Sequence, residues 1–540
     1  MQNRKKILFY CVIGILFVIF IFAYFYNIFL YKYPVPPGDD PIRHITAAKY
    51  ILDNFEIKKY SISEAFDPPI FHILIATIAS ITKSNIIDVT KFFTPFLCII
   101  AIFSLYFVSR QFFKKSSFII IIAIILYGFF SPSLDRIYND GTYLNIFSAL
   151  YYLPLSLSCL IRYLNSNKKI LSIKLLLLLI FSFAVYLSHS LSAIYYILIL
   201  FLITIYSIYL YFIKKNKIIL NKILFFDLIN ILFLFLLAWN FYVRGTVLKI
   251  LNIFGISTNQ ANILSETTVL TIPHPLSIEA YSSYSGIFIF ILSILGFIFI
   301  LKKINISNVS KIILLVWILA LFIGSRSAFF QLPHRFTRDM ALPLTLLAAY
   351  GIYIGFRFIC SNGFIGRIFF SIILSIIFVF YISNNLRGVT KYNLMIRVQE
   401  SDQKAMEWIV KNTNKDDVIL GMPLTIVASG WGSYINLLTD RKTFDGNICP
   451  QDDEPPCDPI FNPNSEISKK YYLDNSIDYV YAGKVILGGH LAKESLRWDY
   501  QNQLSKAYFL EEVYSIKEKK FRNLGYVKIF KVNKNKLNDQ

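Results

Sequence analysis

The sequence predicts a mainly α-helical protein: a polytopic membrane domain over residues 1–383 with about eleven transmembrane helices, followed by a small α/β domain over residues 384–540. Three observations carry this expectation. Hydrophobic residues make up 56% of the chain and charged residues only 16%, where a soluble protein carries roughly a quarter charged. The apolar residues fall into runs that approach the ~20 residues needed to cross a bilayer. The charge is unevenly divided: residues 1–383 hold 32 Lys and Arg against 13 Asp and Glu, whereas residues 384–540 hold 22 against 20. The same composition excludes an ordinary soluble enzyme and an intrinsically disordered chain.

Taken in order, the expected spans are residues 7–30, 91–113, 117–131, 144–163, 171–187, 190–213, 223–243, 285–301, 311–324, 340–358 and 364–383, the third and ninth being short. The first run is too long for a signal peptide and shows no small-residue cleavage site, so it is read as a retained helix. The run 69–82 is also short and is read as a helix lying at or dipping into the interface.

Charge decides the orientation. With Arg4, Lys5 and Lys6 inside, the inner loops carry Arg110, Lys114 and Lys115; Arg162, Lys168, Lys169 and Lys174; Lys214, Lys215, Lys217 and Lys222; Lys302, Lys303 and Lys311; and Arg357 and Arg367. The short outer loops carry only Arg136, Arg326, Arg335 and Arg338. This is a positive-inside pattern, and a further span at 69–82 would invert every later loop. The expectation is an integral plasma membrane protein with a cytoplasmic N-terminus and an extracytoplasmic C-terminal domain. The net charge of +21 is then mostly a topology signal, and nucleic-acid binding is rejected because the basic residues are spread over five inner loops and the N-terminus.

The acids give an independent pattern. Of those in residues 1–383, only Asp227 falls near the inner side; the others, and His44, His72, His189, His274 and His334, map to the outer surface. His490 lies in the C-terminal domain. Cys11, Cys98, Cys159 and Cys360 sit in or beside apolar runs and read as small core residues. Cys449 and Cys457, in a Pro-rich acidic loop outside the cell, are candidates for a disulfide.

In the C-terminal domain, residues 402–414 suit an amphipathic helix, 417–421 a strand, 430–439 a second helix, 467–475 a third and 477–482 a strand. Residues 445–465 read as irregular, and 508–516 and 525–532 alternate as a final strand pair. No internal repeat, Gly-rich phosphate loop, CxxC-type zinc spacing or GxSxG is present.

The strongest local signal is the first outer loop (residues 31–90), where Asp39 and Asp40 follow a span by a few residues and Arg43 and His44 come one helical turn later. One carboxylate can serve as general base and the other as metal ligand or orienting group; equally, either can cap a helix with Pro41 at its first position. Farther along come Asp67 to His72, Asp135 with Arg136 and Asp140, the Ser188-His189-Ser190 triplet, a long outer loop (residues 244–284) with Glu266, His274 and Glu279, and the run from Pro333 through His334, Arg335 and Arg338 to Asp339. Singly, each has a bland reading as solvated, capping or headgroup-binding. Their convergence on one face suits a lipid phosphate: arginine holds phosphate bidentately, and a carboxylate takes a proton or holds a divalent cation.

The segment Pro36-Pro37-Gly38-Asp39-Asp40-Pro41-Ile42-Arg43-His44, after a first span, resembles the GT-C superfamily of membrane glycosyltransferases. Asp67-Pro68-Pro69-Ile70-Phe71-His72 is similar to the helix that follows in these enzymes, and Asn139-Asp140-Gly141-Thr142-Tyr143 and Ser188-His189-Ser190-Leu191-Ser192-Ala193 resemble outer-loop motifs of archaeal-type members. Residues 408–447 resemble the extracytoplasmic domain of archaeal GT-C proteins and, distantly, of the oligosaccharyltransferase catalytic subunit; its Trp-Trp-Asp motif is replaced here by Gly430-Trp431-Gly432-Ser433. The resemblance implies inverting transfer of a sugar from a polyprenyl-phosphate donor to a lipid, glycan or protein acceptor at the outer face. Asp40 or Asp39 would be the base. Arg335 and Arg338 would neutralise the leaving phosphate, with His334 and Arg43 as further phosphate-binding candidates. His44, Asp67, His72, His189 and His274 would be supporting residues. Asp135, Asp140 and Glu279 would hold a divalent cation, Mg2+ or Mn2+, where one is used. The alternatives are an oligosaccharyltransferase-like enzyme that glycosylates protein and a lipid or solute transporter. A transporter places charge near the bilayer midplane, and the span centres here carry almost none.

Overall fold

The structure, a computed structural model, describes residues 2–31, 34–38, 41–55, 69–113, 116–166, 170–237, 276–302, 308–326, 333–360, 398, 400–421, 427–428, 432–445, 459–460, 462–483, 486–487, 490–491, 501–518 and 525–538. The chain divides into two compact units. The first comprises Met1–Phe29, Glu56–Thr82 and Phe92–Leu394; the second comprises Leu30–Phe55, Lys83–Lys91 and Met395–Gln540.

The described helices, in chain order, are α1 (Gln2–Tyr31), α2 (Pro41–Asn54), α3 (Ile70–Thr82), α4 (Ile86–Phe112), α5 (Ser117–Ile125), α6 (Pro132–Asp140), α7 (Tyr143–Leu164), α8 (Ile173–Ser188), α9 (Ser190–Lys214), α10 (Lys217–Leu237), α11 (Ile278–Ser285), α12 (Ile287–Lys302), α13 (Val309–Arg326), α14 (Pro333–Asp339) and α15 (Ala341–Cys360). Among the described residues, seven helices are long and apolar enough to cross a membrane, and up to nine if each of two bent pairs is one span. The span expected at 223–243 is helical as far as Leu237, and 238–243 and 364–383 lie outside the described residues. The other expected spans through 340–358 coincide with helices, that at 171–187 being the 16-residue helix Ile173–Ser188, shorter than the long spans. Residues 69–82 form the helix Ile70–Thr82, 13 residues long. At 1.5 Å per residue that falls short of the ~30 Å hydrocarbon core.

The helical unit is held by apolar packing with local exceptions that have identifiable causes. Trp317 of α13 is fully enclosed, whereas Leu224, Leu228, Ile231 and Phe235 of α10 are exposed in a stripe, the pattern of a lipid-facing surface. The span begun by α5 continues as a π-helix over Leu126–Phe130 and then bends by 49° into α6. Pro132 opens α6, where a missing N–H costs nothing, and Ser131 caps it by accepting from Ser133 N. A second π-helical stretch, Ile146–Tyr152, lies inside α7. Two expectations change here. Cys11 is exposed rather than core, on an α1 face that also exposes Leu8 and Ile15. Asp227 lies mid-helix in α10 rather than near its inner end, because the helix begins at Lys217; its carboxylate accepts from Thr204 Oγ1 at 2.5 Å.

Among the described residues the second unit holds the strands β1 (Val418–Gly421), β2 (Val427–Ala428), β3 (Gly432–Ser433), β4 (Lys442–Asp445), β5 (Tyr479–Ala482), β6 (Ile486–Leu487), β7 (His490–Leu491), β8 (Leu510–Glu518) and β9 (Gly525–Val532); five of them form a sheet of order β4-β1-β5-β9-β8, while β2 pairs with β3 and β6 with β7. β1 is parallel to β4 and β5, and β9 is antiparallel to β5 and β8. The strand period of two divides its residues between two layers. Val418, Leu420, Val480, Ala482, Phe530 and Val532 join a core with Tyr472, Leu504 and Phe509. Tyr479 and Tyr481 face the helix Glu400–Asn412 (α16), Tyr479 packing edge-on to Trp408 and Tyr481 donating to Asp402 at 2.5 Å. The expected helix, strand and strand-pair segments of this domain are present, with two corrections. Residues 432–433 form a strand paired with Val427–Ala428 before the helix Tyr434–Thr439, and β4 was not expected.

Candidate functional site

Polar side chains of α6, the turn after it, the start of α7 and α9 meet around Arg338 and Asp339, the last two residues of α14. Gly141 ends α6 in the left-handed conformation (φ 76°), which glycine adopts without strain, and the chain turns so that Thr142 faces Arg338. Ser133 Oγ donates to the Arg338 carbonyl at 2.9 Å, fastening α6 to α14. Arg338 is 2% exposed. Its Nη1 donates to Thr142 Oγ1 at 3.2 Å and lies 3.9 Å from Asp140 Oδ2. Its Nε is 3.7 Å from Asp339 Oδ1, beyond hydrogen-bond distance. Nε and Nη2 are both buried and have no hydrogen-bond acceptor among the described residues.

That edge is the part of a guanidinium that grips a phosphate or carboxylate with two parallel hydrogen bonds. A buried donor without an acceptor costs about 1–3 kcal/mol, so an anion arriving there restores hydrogen bonds that the protein alone leaves unmade.

Asp339 is 3% exposed and has its own partners. Asn145 Nδ2 donates to both carboxylate oxygens, at 2.9 and 3.0 Å, and Tyr195 OH donates to Oδ2 at 2.9 Å. Tyr195 OH also lies 2.9 Å from Ser192 Oγ, which is 3.1 Å from His189 Nδ1. His189 caps α9, its Nδ1 accepting from Ser192 N at 3.4 Å. The polar side chains of His189, Ser192 and Tyr195 thus lie in line between the α8–α9 corner and the carboxylate beside Arg338.

The remaining expected residues are placed as follows. Arg335 lies one turn before Asp339 on α14 and acts on it electrostatically; His334 is half-buried beside it. Asp135 accepts from Tyr24 OH of α1 at 3.1 Å. Arg136 donates to Ser283 at 3.0 Å and stacks over Tyr284, joining α6 to α11, where Glu279 is exposed. His72 is buried on α3, edge-on to Phe71. Arg43 and buried His44 lie on α2, in the second unit. Asp39, Asp40, Asp67, His274, Cys449 and Cys457 lie outside the described residues. Among the described residues no three His, Cys, Asp or Glu come together as a metal site. Asp135, Asp140 and Glu279, engaged with Tyr24, paired with Arg338 and exposed respectively, do not fit a shared cation.

The sequence singled out Arg338, Arg335 and His189, held Thr142 and Ser192 inside motif segments without a role of their own, and gave no sign of Asn145 or Tyr195. These are neutral residues inside or beside apolar runs. The available signal was their helical spacing: His189, Ser192 and Tyr195 are three apart, which stacks them on one helix face.

A family of unknown function (DUF6541) matches residues 2–363, and the chain belongs to it. No curated protein matches the chain in sequence. Among solved structures, it is similar to the oligosaccharyltransferase AglB of Archaeoglobus fulgidus in complex with an inhibitory peptide and a dolichol-phosphate, with 13% identity and a TM-score of 0.59 over 88% of this chain and 69% of that one. ArnT from Cupriavidus metallidurans bound to undecaprenyl phosphate is 11% identical with a TM-score of 0.53 over 98% of each chain. The arabinofuranosyltransferase AftD from Mycobacteria is 11% identical with a TM-score of 0.55 over 96% of this chain and 39% of that one. At these identities the likeness is one of fold: a polytopic helical domain with a small α/β domain after it.

Proposed function

We propose that this DUF6541 member is an inverting membrane glycosyltransferase that moves a sugar from a polyprenyl-phosphate donor to a lipid, glycan or protein acceptor at the extracytoplasmic face. The observation that carries the reading is the buried Nε–Nη2 edge of Arg338 with no acceptor among the described residues, in a fold shared with ArnT bound to undecaprenyl phosphate and AglB bound to a dolichol-phosphate.

The chemistry assigns each group a task. Asp40 or Asp39 takes the proton of the acceptor hydroxyl. The acceptor oxygen attacks the anomeric carbon from the face opposite the phosphate, the bond from that carbon to the phosphate oxygen breaks, and its electron pair leaves with the phosphate. Negative charge grows on that oxygen, and a guanidinium fixed in a water-poor site stabilises it without reorganisation. In this reading Arg338 is that guanidinium, and Arg335, His334 and Arg43 are further positive or donating groups proposed for the lipid phosphate.

Transfer from a polyprenyl-phosphate sugar to endogenous acceptors, followed by mass spectrometry of the product, tests the reading. Arg338→Gln is expected to lower turnover by roughly a hundredfold or more, and loss of the base by roughly 10²–10⁴. Full transfer by both Asp39→Asn and Asp40→Asn would remove the base assignment. Full transfer by Arg338→Gln would remove the phosphate assignment.

The likeness to AglB favours one second reading, transfer of a preassembled glycan to an Asn-x-Ser/Thr acceptor. Binding of sequon peptides and loss of activity in EDTA would support it. Absence of both would leave the single-sugar transferase.

A further inference from the structure

Two charged groups of opposite sign sit 3.7 Å apart in the same buried site without closing on each other. Asp339 Oδ1 faces Arg338 Nε, yet no hydrogen bond joins them. A buried carboxylate beside a guanidinium ordinarily forms the bidentate pair, since that arrangement satisfies the donors of one and the lone pairs of the other. Here the carboxylate is held elsewhere. Asn145 Nδ2 reaches both of its oxygens and Tyr195 OH reaches Oδ2. Arg338 is held from the other side by Thr142.

We propose that Asn145 and Tyr195 are positioning residues that restrain Asp339, so that its charge balances Arg338 while the Nε–Nη2 edge stays open for the donor phosphate. The inference rests on the phosphate reading above and adds the device that keeps the site from closing on itself. The restraint has two independent anchors. Asn145 sits just before the π-helical stretch of α7. Tyr195 is on α9, joined through Ser192 to His189 at the helix start. Without these anchors the carboxylate is free to turn onto Nε and Nη2, and an incoming phosphate then has to displace an intramolecular anion. The cost falls on binding of the phosphate more than on the chemical step.

The test uses the full-length protein in nanodiscs, binding a polyprenyl monophosphate, with inorganic phosphate as a second probe that separates a lipid site from a bare anion site. Asn145→Ala and Tyr195→Phe are each expected to weaken polyprenyl phosphate binding by roughly tenfold, raising KM for the donor more than they lower kcat. Adding Asp339→Asn to either is expected to restore binding, because the competing carboxylate charge is gone. A structural role would not be rescued by removing a third group, so this reversal is the discriminating readout. Arg338→Gln separates the two levels of the argument. If Arg338→Gln loses binding while Asn145→Ala and Tyr195→Phe retain it, or if Asp339→Asn deepens their defect, the restraint is overturned and the phosphate site stands. If Arg338→Gln binds like the unaltered protein, both are overturned.

Discussion

Lys222 illustrates how a charge is accommodated inside the helical unit and what a sequence can say about it. By sequence it is one more basic residue of an inner loop. In the structure it is buried on α10, 1% exposed, and its Nζ donates to the Tyr163 carbonyl and to Ser166 Oγ, both at 3.1 Å, and to the Ser166 carbonyl. It therefore caps the C-terminal end of α7, where carbonyls lack helical partners and the helix dipole favours a cation. Replacing Lys222 with Met keeps much of the packing volume and leaves those acceptors unpaired, so a loss of roughly 1–3 kcal/mol is expected. It should appear as a lower unfolding midpoint of the detergent-solubilised protein, with Lys217→Met, on the exposed start of α10, near neutral. The same limit on legibility holds at Arg338. Its charge announced it, but the neutral groups that define its open edge, Thr142 and Asn145, come from a segment nearly two hundred residues away, and their polarity does not stand out from a helix cap or turn.

At the scale of elements, hydropathy located the helices well because each span must satisfy its backbone internally, and the run lengths follow from bilayer thickness. The breaks were less legible. The 49° bend between α5 and α6 and the 108° break between α11 and α12 depend on Pro132 and Gly286, residues compatible with either a loop or a kink. Strand β4 was missed because four residues, Lys442–Asp445, carry too little alternation; its pairing to β1 supplies what its own sequence lacks. Helix crossing was not legible at all. A Cβ on Gly296 of α12 would stand 2.0 Å from the Leu347 carbonyl oxygen of α15, and one on Gly351 would stand 2.7 Å from that of Leu292. Small residues let two membrane helices approach this closely. Gly296→Ala is expected to force the pair apart and destabilise the unit by roughly 1–3 kcal/mol, as overpacking does elsewhere. Gly355→Ala on α15 meets nothing within 4 Å and should be neutral or slightly stabilising through helix propensity. Thermal unfolding of the two variants side by side measures the difference, and equal midpoints would mean that the crossing yields without cost.

For the whole molecule, the uneven charge and the apolar runs set a membrane domain apart from a mixed tail, and the helix and strand patterning of that tail gave its α/β character. How the chain groups in space was not written in its order. The second unit takes in Leu30–Phe55 along with residues from Met395 onward, and within it Lys49 of α2 pairs with Asp440 at 3.4 Å across 391 positions. A hydropathy profile holds no trace of such long-range contacts. Orientation is the remaining whole-chain property, and charge alone bears on it. Lysines and arginines near span ends favour the cytoplasmic side, and one added or removed span reverses everything after it. The basic pairs around Lys168 and Lys169, Lys214 and Lys215, and Lys302 and Lys303 are expected on the cytoplasmic side together with the N-terminus, and a span at 364–383 would then put residues 384–540 outside. Fusion of a reporter active only outside the cytoplasm is therefore expected to give activity after residue 540 and none after residue 215. The reverse pattern would place Arg338 and its partners on the cytoplasmic face. A donor there would have to be a lipid-linked sugar accessible from the cytoplasm, and the extracytoplasmic transferase reading would fall with the orientation.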